Sequence, residues 1–168
     1  MKSPRKAKAR GPRPGSIERV PGLSYGELDA HLGYLLRRAQ LAGFEAFHRA
    51  TERIDISPAR YTALAIVGAN PGLSQSDLGG ALGTARSGAM LVADWLEARS
   101  LAERRRREGD ERAWGLYLTP YGKRFLAKVM RRVRERDAEF AGRLSRAEQA
   151  RLRRLLEKLV GVAGDGTH

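Results

Sequence analysis

Residues 74–118 read SQSDLGGALGTARSGAMLVADWLEARSLAERRRREGDERAWGLYL, and the rhythm of their apolar residues changes twice. Ser74 with Asp77 three positions on is an acidic variant of a helix N-terminal capping signature, and it opens a short helix over Gln75–Leu82 carrying Leu78 and Leu82. Gly83-Thr84 supplies a tight turn. A second helix then runs from about Ala85 to Arg99, with Ala89, Val92, Ala93 and Leu96 inward. Two short helices joined by a short turn containing glycine are the sequence form of a helix-turn-helix. After Ser100 the period falls to two. Leu101–Arg104 and Ala113–Leu118 read as two short strands, the second alternating Trp114, Leu116 and Leu118 on one face, where tryptophan is expected to join the core. Between them the polar run Arg104 to Glu111 reads as a hairpin tip, with Gly109-Asp110 supplying the turn. A helix-turn-helix followed directly by a two-stranded ribbon is a winged helix.

Helical patterns flank this unit on both sides. Ser24 with Glu27 reads as a capping box that opens one long helix to about Arg53, carrying Leu28, Leu32, Leu35, Leu36, Ala39 and Phe47. A helix of that length needs something beyond its own domain to pack against. Ser57-Pro58 starts another, with Tyr61, Leu64 and Ala65 inward, and Asn70-Pro71-Gly72 ends it. Thr119-Pro120 opens a helix with the stripe Phe125, Val129, Val133 and Phe140. Ser145 with Glu148 caps a last one on Leu152, Leu155, Leu156, Leu159 and Val160, which Gly161 and Gly164 stop. The expected fold is mainly α with a small β-hairpin: a winged helix-turn-helix with flanking dimerisation helices at about 24–54 and 120–160, and a DNA-binding lobe at about 57–118. Residues 1–22 form a separate basic arm, with seven cations against Glu18 and four prolines, too poor in large apolar side chains to order itself. Residues 164–168 read as a short tail.

The chain has 168 residues, with 32 Lys and Arg against 19 Asp and Glu, a net charge of +13. That excess calls for an anionic partner: nucleic acid first, an acidic membrane surface second. Cysteine is absent, which excludes disulfides, thiolate zinc sites and thiol redox sensing. No apolar run approaches the roughly 20 residues of a membrane span, and the basic N-terminus lacks the apolar stretch of a signal peptide, so a cytoplasmic protein is expected. His31, His48 and His168 are scattered, and no zinc-protease, nucleophile-elbow or phosphate-loop motif occurs. His48 with Glu45 and Glu52 could clamp a metal, but a solvated helix face is the plainer reading. No enzyme, metal or cofactor is indicated.

In a winged helix the second helix of the pair enters the major groove, its N-terminal residues meeting the bases, while the ribbon reaches the adjacent minor groove or backbone. Arg86 can pair with guanine and Ser87 can donate to phosphate; Met90 shares their face. Gln75 and Ser76 either present groups to phosphate or simply cap their helix. Arg104, Arg105, Arg106 and Arg107 would neutralise phosphates. Asp110 could hold Arg112 in place as it meets phosphate or minor groove; alternatively the two form an ion pair that only shapes the wing. The arm could enter a minor groove or merely tether. Trp95 is expected beside the wing.

Leu96-Glu97, Leu101-Ala102-Glu103-Arg104, Asp110-Glu111-Arg112 and Leu118-Thr119-Pro120-Tyr121-Gly122 follow one another in an order and spacing that resemble the MarR-type (multiple antibiotic resistance regulator) transcription factors. Ser74-Gln75-Ser76-Asp77-Leu78 is similar to that family's helix-turn-helix start, and the resemblance covers about residues 24–160. It implies a homodimer built from the first and last two helices, acting as a repressor on double-stranded DNA at a pseudo-palindromic operator. It further implies release by a small ligand lodged between the dimer helices and the DNA-binding lobe. His31, Tyr34, Arg37, Arg38 and Tyr61 are the candidate ligand residues, suited to an aromatic carboxylate, a phenol, or a coenzyme A thioester. The competing reading leaves Arg37 and Arg38 in solvent and Tyr34 sealing the dimer. Two departures from the family pattern stand out: Ser100 where glycine usually ends the recognition helix, and Gly88, Met90 and Leu91 on its exposed face. The alternative function is a nucleoid-type protein that binds any duplex without an effector.

Overall fold

The computed structural model describes residues 19–107 and 109–161, with the backbone alone at Asp110 and Glu111. A 3-10 helix over Gly26–Ala30 precedes α1 (Leu32–Ala50), α2 (Pro58–Ala69), α3 (Gln75–Leu82) and α4 (Arg86–Ala98). The hairpin β1 (Ala102–Arg107) and β2 (Asp110–Leu118) follows, then α5 (Pro120–Ala141) and α6 (Arg146–Leu159). This is the mainly helical, winged arrangement expected. Most of the arm and the whole tail lie outside the described residues.

The helix starts follow the capping residues. The hydroxyls of Ser57, Ser74, Thr119 and Ser145 accept from the backbone N–H three residues on, and Pro58 and Pro120 sit where no N–H is missed. Gly83 ends α3 in the left-handed conformation, φ 61°, closing the turn into α4. Ser100 takes φ 55° at the end of α4, the one non-glycine with positive φ among the described residues.

Three expectations are corrected. The long first helix is broken: His31 is extended, and the Ser24 hydroxyl accepts from Gly26 rather than from Glu27, so that capping box does not form. Gly26 adopts φ 55°, which turns the chain there, and Leu28, Leu32 and Leu35 are 46–58% exposed and so gain no burial that would favour continuing the helix. The ribbon is longer than expected, so Arg104 to Arg107 stand on β1 rather than at a tip. Pairing runs antiparallel from Ala102 opposite Leu118 to Arg106 opposite Trp114, and an irregularity then sets Arg107 opposite Asp110. Finally, Trp114 is 54% exposed; of the alternating face only Leu116 and Leu118 reach the core.

The core gathers Leu64 and Val67 of α2, Leu78 of α3, Ala93 and Leu96 of α4, Leu101, Leu116 and Val129, with Phe47 closing it from α1. Each fully buried leucine contributes about 2 kcal/mol. Two close approaches seat the wing on this core. Gly72 donates to the Leu116 carbonyl at 2.9 Å and Leu116 donates back to Leu73, so the loop before α3 adds a bridge to β2. The turn into α5 lies so near β1 that a Cβ at Gly122 would sit 1.8 Å from the Leu101 carbonyl oxygen. The wing is therefore held both to the loop before α3 and to the start of α5. By contrast α6 buries none of its residues, and Leu152, Leu155, Leu156 and Leu159 stay 37–54% exposed.

Candidate nucleic-acid interface

One face of α4 packs Ala89, Ala93 and Leu96 into the core, which turns Arg86, Ser87, Met90 and Leu91 to solvent. Met90 is 47% and Leu91 70% exposed, so this face offers one cation, one hydroxyl and two apolar side chains. Such a set can reach guanine acceptors, phosphate and thymine methyl groups. A Cβ at Gly88 would meet the Thr84 hydroxyl at 2.4 Å. At the start of α3 Ser76 is exposed and Gln75 half-buried, while the capping is done by Ser74, whose hydroxyl accepts from Asp77 at 3.0 Å.

The four arginines of β1 divide by strand alternation. Arg104 faces α4: its guanidinium is held by Glu97 and, at 2.7 Å, by Asp94, and its backbone N–H donates to Glu97 at 3.0 Å. Arg106, two residues on, lies 4.4 Å over the Trp114 ring and donates to the Arg112 carbonyl at 3.3 Å. On the other face Arg105 pairs with Glu103 at 3.3 Å and lies 4.1 Å over the Tyr117 ring. Arg105 and Arg107 join Lys123 of α5 around a cleft of about 340 Å³ floored by Gly68 and Gly72, a cationic recess that sequence reasoning missed because Lys123 belongs to another element. Arg112 is exposed on β2. The side chain of Asp110, its expected partner, lies outside the described residues. Trp95 packs against the core cluster to which Ala102, Leu116 and Leu118 of the wing belong, and its ring takes Arg60 at 4.3 Å and Arg99 at 4.5 Å.

A second cavity, about 400 Å³, opens between α1, α2 and α5. Phe44, Phe47, Val133 and Phe140 make most of its wall, with Gln40, Tyr61, Thr62 and Asp137 as its polar members. Burial pushes the Tyr61 phenol above its ordinary value, so it remains a donor at neutral pH; Arg134 opposes this and Asp137 adds to it. Of the five expected ligand residues Tyr61 lines this cavity, and the other four lie nearer the start of α1. His31 is the N-cap, Tyr34 stacks with Tyr25 at 6.1 Å, and Arg38 lies 6.0 Å over the Tyr34 ring. Arg37 is exposed. Gln40, Phe44 and Phe47 lay one helical face further along and were legible as an i, i+4, i+7 set. A larger groove, about 690 Å³, runs beside it between α5 and α6, lined by Phe140, Leu144, Leu152, Leu156 and Val160. No helix among the described residues is long and apolar enough to cross a membrane, and no three His, Asp or Glu of those residues gather as a metal site would require.

The MarR family model matches residues 54–113, from just before α2 into the first half of β2. A transcriptional regulatory protein for the hcr operon of Thauera aromatica is 38% identical over 138 residues, covering 82% of this chain and 83% of that protein. Among solved structures, the transcriptional repressor CouR bound to a 23-mer DNA duplex has a TM-score of 0.76 at 34% identity, covering 82% of this chain and 98% of that one. CouR bound to p-coumaroyl-CoA gives 0.75 at 32% identity, covering 82% and 97%. The exposed α4 face, the arginine-bearing wing and these likenesses agree: this chain belongs to the MarR family and is a DNA-binding transcriptional repressor of that type, not an enzyme.

Proposed function

We propose that the chain acts in the cytoplasm as a homodimer on a pseudo-palindromic operator and is released from it by a small aromatic acid, phenol or coenzyme A thioester. The observation that carries this reading is the pairing of a solvent-facing α4, flanked by a cationic wing, with an α6 whose leucine stripe is left 37–54% exposed among the described residues. Two-fold pairing through α6 would set two recognition helices about 34 Å apart, one turn of duplex. Arg86 and Ser87 would meet bases or phosphate, Met90 with its neighbour Leu91 would pack on thymine methyls, and Arg106, Arg107 and Arg112 would grip backbone or minor groove. Gln75 and Ser76 would contact phosphate at the α3 start. Arg104, already engaged by Asp94 and Glu97, would brace the wing against α4 rather than touch DNA.

The cavity between α1, α2 and α5 is the proposed effector site, since it joins a dimerisation helix to the first helix of the DNA-binding lobe. A ligand there would favour one spacing of the two lobes; moving most of the population needs about 5 kcal/mol of differential affinity. CouR, with a DNA complex and a p-coumaroyl-CoA complex, supports both halves of the reading. The decisive experiment is binding to the native upstream duplex in excess random DNA. A preference of order 10³ or more is expected. Equal affinity for both duplexes would favour the nucleoid-type alternative. Arg112→Ala should weaken operator binding by about 1–3 kcal/mol and leave the fold intact.

A further inference from the structure

We infer that the cavity between α1, α2 and α5 admits an uncharged aromatic ligand and rejects the free aromatic carboxylate, and that Asp137 makes the distinction. The inference rests on the effector reading above and narrows it. Of the residues that line this cavity, Asp137 is the one that carries a charge, and no lysine, arginine or histidine stands among them. The Thr62 hydroxyl already donates to the Pro58 carbonyl at 2.9 Å, so what it has left to offer a ligand is its lone pairs. Asp137 offers only acceptors. The Tyr61 phenol and the Gln40 amide can donate, so the cavity has an apolar wall and a polar patch of mixed donors and acceptors that carries one negative charge and no positive one.

A ligand hydroxyl suits that patch, because it donates to the carboxylate. A ligand carboxylate does not: in this open cleft it comes to lie beside the exposed Asp137 as a like charge, with the neutral Tyr61 and Gln40 donors but no cation in the lining to compensate. Arg134 acts on the Tyr61 phenol but is not part of the lining. The cations that are close, Arg143 and Arg153, line the adjoining groove, which shares Ala39, Asp137 and Phe140 with the cavity. A phenolic acyl group carried as an amide, ester or thioester therefore fits inside, and any anionic carrier belongs outside, toward those arginines.

The test compares p-coumarate with p-coumaramide, two probes of nearly equal shape that differ in charge, by calorimetry on the full-length protein and by release of its operator duplex at about pH 7. The amide is expected to bind and to release DNA at a concentration lower by roughly tenfold or more, the scale of one like-charge contact in a partly solvated site. In Asp137→Asn the gap should shrink to within about twofold, with the gain on the side of the acid. Equal or tighter binding of the acid by the unaltered protein overturns the inference. An unchanged gap in Asp137→Asn overturns the assignment to Asp137. If neither probe binds or releases DNA while p-coumaroyl-CoA does, this inference fails and the effector reading stands; if p-coumaroyl-CoA also leaves the operator bound, both fail.

Discussion

Ser100 shows how a single residue carries a cost that the surrounding fold imposes. Its φ of 55° places a Cβ in the left-handed region, a conformation that ends α4 and aims the chain into β1. The site is over-determined: Ser100 donates its N–H to Glu97 at 2.8 Å, and its carbonyl accepts from the Thr119 hydroxyl at 2.6 Å. Neither bond uses the serine side chain. Ser100→Gly should therefore relieve strain of about 1 kcal/mol, less what glycine loses in backbone entropy. A net gain of roughly 0.5 kcal/mol, or about 1–2 °C in the melting temperature, is expected by calorimetry. Destabilisation would mean that the serine hydroxyl holds the turn. Gly88 is the converse case. It departs from the family pattern on α4, and a Cβ there would stand 2.4 Å from the exposed Thr84 hydroxyl, so a larger residue requires that side chain to turn away.

At the scale of elements, the wing is fastened by the first arginine of its run. Arg104 spans Asp94 and Glu97 of α4 with its side chain 30% exposed, whereas Arg105 is 55% exposed and pairs within its own strand. Arg104→Ala should destabilise the protein by about 1 kcal/mol, and Arg105→Ala by less than half of that, as read from urea unfolding. Equal effects would show that the α4 contact is not a brace. The start of α6 offers a pH test. The Ser145 backbone N–H and hydroxyl hold the Glu148 carboxyl below its ordinary range. A carboxyl held low stabilises the fold above its unfolded titration range and loses that contribution as pH falls through its folded value. Protection of the Ser145 and Glu148 amides, taken relative to the intrinsic exchange rate at each pH, should thus fall on acidification, and Glu148→Gln should flatten that response; parallel profiles would mean the box does not persist in solution. Such caps were legible because each is written in three or four consecutive residues. The same locality explains the failures. The break at His31, the exposure of Trp114 and the membership of Lys123 and Asp137 in their cavities depend on what lies across space, and one strand's periodicity says nothing about that. The arginine run misled for a related reason: composition marks a cluster as polar, but only the pairing register says whether it turns or continues.

For the molecule as a whole, charge and apolar surface divide the labour by region. The net charge of +13 includes a wing and a recognition helix that expose arginines, and association with duplex DNA should weaken steeply with salt, by a log–log slope of about 0.9 per phosphate neutralised. The helix α6 carries the other driving force. The stripe of α6 and the groove of about 690 Å³ beside it leave Leu152, Leu156 and Val160 at 37–69% exposure. A contiguous apolar face of that kind on a helix with no buried residue marks an interface. A second copy suits it, because an isologous contact lets the same stripe serve both protomers. Leu156→Asp would place two charges near the two-fold axis and should convert the protein to monomers by sedimentation at micromolar concentration, with helix content kept in α2 to α5. Operator affinity should then fall by far more than Arg112→Ala costs, since one lobe alone reads half a site and loses the gain of linked binding. A variant that stays dimeric and binds operator normally would remove α6 from the interface and, with it, the argument that two α4 helices are spaced by terminal pairing.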